Sequence, residues 1–239
     1  MELTFLTQAS VLIPLYVSFC FALFLYLSND FIHHLKKYSF LIINLAAGFL
    51  FAYMFLTLLP DIYRSNASVL IQAGFFFTFI GYISFYLAEK HIFSSKKSNT
   101  QKELLAIRTG GFYLVHFITG FIIVYSFSID TFGKSLTILI PFLLHNAATM
   151  LLYEDLTKWL LRYHHRTTLV FPGLVMLGAI SAIFLEHTFG ISSYYFYAFF
   201  GGTFMYLITT IMTPGYHKGY LNYFLAGIIA YVSLILVFH

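Results

Sequence analysis

Residues 39–60 read SFLIINLAAGFLFAYMFLTLLP, a run from Ser39 to Pro60 without one charged side chain or histidine. A helix needs about 20 residues to cross the ~30 Å hydrocarbon core of a bilayer, and this run supplies them. Seven more apolar stretches, each bracketed by charged or turn-forming residues, lie at 8–28, 68–88, 110–129, 135–156, 168–187, 194–213 and 220–238. The chain is 60% hydrophobic and 9% charged, against roughly 25% charged for a soluble domain, which excludes an ordinary cytosolic globule. The pattern predicts an all-α, polytopic membrane protein: one transmembrane domain over residues 1–239 with eight helices, its partner the lipid bilayer, in a plasma or inner membrane.

Short loops with an excess of Lys and Arg stay on the cytosolic side. Lys36 and Lys37 fall between the first two spans. Lys90, Lys96, Lys97, Lys102 and Arg108 lie between the third and fourth, Lys158, Arg162 and Arg166 between the fifth and sixth, and Lys218 between the last two. Only Arg64 and Lys134 fall on the other side, so both termini are expected to be non-cytosolic. The longest connection, Glu89 to Thr109, reads as a flexible cytosolic loop. No tandem repeat is visible. Glu2 alone precedes the first apolar run, without a signal-like positive flank, so that segment is expected to stay in the mature chain.

The formal charge of +4 is spread over these loops, which argues against nucleic acid as a partner. Cys20 is the only cysteine, which excludes an intrachain disulfide, a dithiol centre and a thiolate-only zinc site.

Ionisable groups inside a span are costly and are default functional candidates. His116 in span four and His145 in span five sit well inside; Glu154, Asp155, Glu186 and His187 lie near span ends. Spans four and five are sequence neighbours and pack antiparallel, so the two histidines can meet. Thr119 shares the face of His116, Asn146 follows His145, and Thr149 lies one turn beyond it. These five side chains form either a packing network of mutually satisfied polar groups or a binding site. Glu154 and Asp155 read either as a cation station at the cytosolic end or as a solvated helix end paired with Lys158 and Arg162. His33, His34, His91, His164, His165 and His217 fall in cytosolic loops. Gly48, Gly74, Gly81, Gly201 and Gly202 permit close helix contact, and Pro14 and Pro141 fall inside spans, the latter close to the candidate site.

Span two carries Ala46-Ala47-Gly48-Phe49-Leu50 and then Leu58-Leu59-Pro60-Asp61; span seven carries Gly202-Thr203-Phe204-Met205-Tyr206 and then Met212-Thr213-Pro214. In their order, spacing and orientation these segments resemble the ZIP family of zinc and iron transporters. The likeness covers nearly the whole chain: eight spans, outside termini and a cytosolic connection between spans three and four. It implies a ZIP-like bundle, a homodimer, and a transport site on spans four and five built from His-rich patterns with a carboxylate about one turn after the first His. His116, His145 and Asn146 fall where those ligands stand, with Thr149 at one carboxylate position, Gly120 at the other, and Gly215 in place of the acid after Pro214.

A divalent ion entering a low-dielectric bundle needs anionic ligands to offset its charge, and this set supplies none. The resemblance therefore implies a carrier of zinc or a similar divalent ion through one weak, partly hydrated site at His116, His145, Asn146 and Thr149. The alternative is a ZIP-like protein that regulates a partner or carries another solute. No resident cofactor is expected, beyond such a weakly bound ion. An enzyme is not expected, because Ser126 and Ser181 lack a placed base and a zinc hydrolase wants three protein ligands.

Overall fold

The computed structural model describes residues 9–63, 68–94, 100–129, 132–152, 169–189, 193–212 and 220–239. Among them every regular element is helical. The first rod is α1 (Ala9–Leu35), followed by a 3₁₀ turn, Lys36–Tyr38. The second is α2 (Ser39–Tyr53), a π-helical turn at Met54–Leu58, and α3 (Leu59–Tyr63). Then come α4 (Ser68–Ser94), α5 (Thr100–Ile129), α6 (Phe132–Leu152) and α7 (Val170–Phe189). The seventh rod is α8 (Ser193–Leu207), which passes into a second π turn, Ile208–Met212, and the last is α9 (Tyr220–Phe238).

Eight expected spans thus become eight helical rods. Two segments, Val11–Ser28 and Lys36–Tyr63, are long and apolar enough to cross a membrane; shorter apolar helical stretches run over Tyr113–Phe127, Ile138–Thr149, Val170–Leu185 and Leu221–Val237. The expected loop at 89–109 is largely helical instead: α4 runs on to Ser94 and α5 begins at Thr100. From Gln101 to Ala106 the stretch reads Gln, Lys, Glu, Leu, Leu and Ala, all strong helix formers. Charge marks where a span leaves an apolar phase, and a helix can continue past that point.

Pairing of the rods follows from glycine. α2 packs on α9, α4 on α8 and α5 on α7, and each crossing is made by two glycines that face one another's helix. A Cβ on Gly48 would stand 1.9 Å from the Phe224 carbonyl oxygen, and one on Gly227 2.1 Å from that of Leu45. Gly81 meets Phe199 at 2.0 Å and Gly202 meets Thr78 at 1.9 Å; Gly120 meets Val175 at 1.9 Å and Gly178 meets Phe117 at 2.0 Å. Small residues let backbones touch, which is how helices associate when there is no water to expel. α1 packs on α7 and α5, and α6 lies against α2.

The second and seventh rods share one construction. Gly48 precedes the π turn at Met54 by the spacing at which Gly202 precedes the π turn at Ile208, and Pro60 and Pro214 follow at the same offset. Proline lacks an N–H and its ring collides with the carbonyl four residues back, which a widened turn relieves. In the second rod the π turn carries Thr57, whose hydroxyl is hydrogen-bonded to that of Tyr231 on α9 inside the core. Tyr231→Phe removes that bond and is expected to lower stability by about 1 kcal/mol, read as a lower denaturation midpoint. Tyr194 anchors the end of the same rod, its hydroxyl donating to the Ile62 carbonyl at 2.6 Å.

Candidate functional site

α5 ends at Ile129 and α6 begins at Phe132, and the two are tied near these ends by Ser135 Oγ donating to the Ser126 carbonyl at 3.0 Å. His116 lies as many residues before Ile129 as His145 lies after Phe132, which puts the two at one depth. His116 is fully buried and His145 is 2% exposed. They lie within electrostatic reach of each other.

Each ring is held by an aromatic neighbour from a third helix. His116 stacks on Phe171 of α7, centroids 4.8 Å apart at 30°. His145 meets Phe204 of α8 edge to face at 5.1 Å. Phe204 packs on Phe142 at 5.3 Å, and Tyr53 of α2 closes on Phe142 at 6.0 Å. Phe142 stands one helical turn before His145, a spacing that identifies it as a wall of the site from sequence. The reach of Phe171, Phe204 and Tyr53 is tertiary and has no such local signal.

Helix α6 runs through Pro141 without a break. Its polar side chains bond mostly to their own backbone. Asn146 Nδ2 donates to the Phe142 carbonyl at 2.8 Å, and Thr149 Oγ1 donates to the carbonyls of His145 at 2.8 Å and Asn146 at 3.1 Å. On α5, Thr119 Oγ1 donates to the Val115 carbonyl at 2.8 Å. Toward a guest, therefore, Thr149 offers lone pairs and no proton. Both ring nitrogens of His145 and the side-chain oxygen of Asn146 have no hydrogen-bond partner among the described residues. A packing network would have satisfied these atoms, since an unpaired buried polar group costs roughly 1–3 kcal/mol.

His116, His145, Asn146 and Thr149, expected to form one cluster, are each buried, and no group of three or more His, Cys, Asp or Glu residues forms among the described residues. The lack of a carboxylate one turn after His116 has a steric cause, because Gly120 sits against Val175 with no room for any side chain. Glu154, Asp155, His164, His165 and His217 lie outside the described residues, as do the side chains of His33, Glu186 and His187. His34 and His91 are exposed.

Comparison with protein-family models, with curated proteins and with solved structures gives no match.

Proposed function

We propose that this chain is an integral membrane protein that crosses the bilayer eight times, with both termini outside the cytosol, and that it is a ZIP-like carrier of a divalent metal ion such as zinc. The observation that carries this reading is His145, 2% exposed, with two ring nitrogens that have no hydrogen-bond partner among the described residues. Imidazole nitrogen is a good ligand for zinc and similar ions, and amide and hydroxyl oxygens are weaker ones. An ion held by His116, His145, Asn146 and Thr149 keeps its full charge, retains part of its water and leaves readily, which suits passage rather than storage. The membrane part of the reading is supported by the outer surface. Phe75, Phe76 and Phe79 on α4 and Leu221, Ile229 and Leu236 on α9 are all more than half exposed, an apolar skin that water penalises and lipid accepts. A homodimer and a plasma or inner membrane location belong to the same proposal.

The test is uptake of zinc into vesicles containing purified protein, together with elemental analysis of that protein. His145→Ala is expected to lower initial uptake at least tenfold with helical content unchanged, and unaltered uptake would remove the proposal. A second reading, a ZIP-like protein that carries a different solute or regulates a partner, is favoured by the neutral donor set and the closed position at Gly120. It predicts no metal in the purified protein and no uptake in the first place.

A further inference from the structure

A cleft of about 290 Å³ opens where the end of α4 meets the π turn of α8, well apart from the histidines in sequence and on different helices. It is lined by Tyr82, Tyr86, Glu89, Lys90, Tyr206 and Thr210. Tyr82, Tyr86 and Lys90 follow one another at one-turn intervals along a single face of α4. Tyr82 meets Tyr206 edge to face at 5.6 Å.

Three observations point to a ligand. Tyr206 is 4% exposed, yet its hydroxyl has no hydrogen-bond partner among the described residues; a buried phenol normally finds one. Glu89 makes no ion pair with a described residue, and the ammonium of Lys90 lies over the Tyr86 ring at 5.6 Å instead of on a carboxylate. The lining therefore holds one anion, one cation and the four hydroxyls of Tyr82, Tyr86, Tyr206 and Thr210, in a space slightly below the ~300–1,000 Å³ of drug-sized ligand pockets. The complement is a small zwitterion. Glu89 and the hydroxyl oxygens of Tyr206 and Thr210 accept hydrogen bonds, which a primary ammonium donates and a trimethylammonium cannot.

We propose that this cleft binds a phosphoethanolamine group, its ammonium on Glu89, Tyr206 and Thr210 and its phosphate on Lys90. The inference rests on the membrane reading, since Glu89 and Lys90 stand at the end of an expected span, where lipid headgroups lie. It does not depend on metal transport.

Carbonate washing of membranes first establishes that the chain is integral. Purified protein is then titrated in detergent with phosphatidylethanolamine, phosphatidylcholine, phosphatidylglycerol and water-soluble O-phosphoethanolamine, with bound lipid counted by native mass spectrometry. The ethanolamine lipid is expected to bind at least fivefold more tightly than the choline lipid. Glu89→Gln and Tyr206→Phe are each expected to remove that preference, and Lys90→Ala to weaken the ethanolamine and glycerol lipids alike. His145→Ala is expected to leave lipid binding unchanged, which separates a failure here from a failure of the transport reading. Competition by O-phosphoethanolamine at concentrations equal to the lipid's identifies a soluble source of the same group, and lack of competition identifies the lipid. Equal affinity for the ethanolamine and choline lipids, or preference intact in both Glu89→Gln and Tyr206→Phe, overturns the assignment.

Discussion

Replacing His145 by leucine is expected to make the protein more stable while abolishing uptake. The two ring nitrogens of His145 are buried without a hydrogen-bond partner among the described residues, and each such group costs roughly 1–3 kcal/mol relative to a satisfied one. Leucine is apolar, of comparable bulk, and packs against Phe204, the ring that now meets the imidazole at 5.1 Å. A gain of about 1–3 kcal/mol follows, and for a chain of this size each kcal/mol raises Tm by roughly 2–4 °C. A packing role for the histidine predicts the opposite sign, because its hydrogen bonds would then be lost. Zinc sharpens the comparison. Added ion should raise the Tm of the native protein through binding to the folded state, and should do nothing for His145→Leu. A fall in Tm for His145→Leu would return the cluster to the status of a helix-packing network.

Gly120→Ala is expected to cost at least about 3 kcal/mol, the upper end of what overpacking does. The new methyl would stand 1.9 Å from the Val175 carbonyl oxygen and 2.9 Å from the Ala179 backbone nitrogen. Both are backbone atoms, so no side chain can swing away and the α5–α7 crossing itself must separate. His116 and its stacking partner Phe171 sit on these two helices, so uptake should fall along with stability. Gly110→Ala on the same helix meets nothing within 4 Å and should stabilise by roughly 0.5–1 kcal/mol through helix propensity alone. Denaturation midpoints for the pair check both signs at once, and equal effects would mean the close crossing is absent in solution.

Much of the fold is written in local sequence. Ser39, Ser68 and Tyr220 each open a helix where the charge pattern puts the start of a span. The ends near Ser94 and Thr100 escape that reading because Gln101, Lys102 and Glu103 form helix as readily as straight-chain apolar residues do. His116 and His145 are legible because an ionisable group in an apolar run has few reasons to be there. Gly48, Gly81 and Gly202 stand out as packing positions, whereas Gly227, the counterpart of Gly48, and the mutually facing pair Gly120 and Gly178 do not, since reciprocity at a crossing is a property of two helices far apart in sequence. Gly74 and Gly201 prove different in kind: one faces the hydroxyl of Tyr194 and the other the side chain of Ile62. The π turns are invisible beforehand because they reside in the backbone hydrogen-bond register, and no resemblance of motifs specifies that.

The glycine crossings also divide the molecule mechanically. Three interlocked couples, α2 with α9, α4 with α8 and α5 with α7, behave as stiff struts because their backbones are already in contact. Helix α6 has no glycine from Lys134 to Leu152 and rests on its neighbours through ordinary side-chain layers, which slide at lower cost than backbone contacts separate. The rod that carries His145 and Asn146 is therefore, with the equally glycine-free α1, one of the two members outside the struts, a piston held against them.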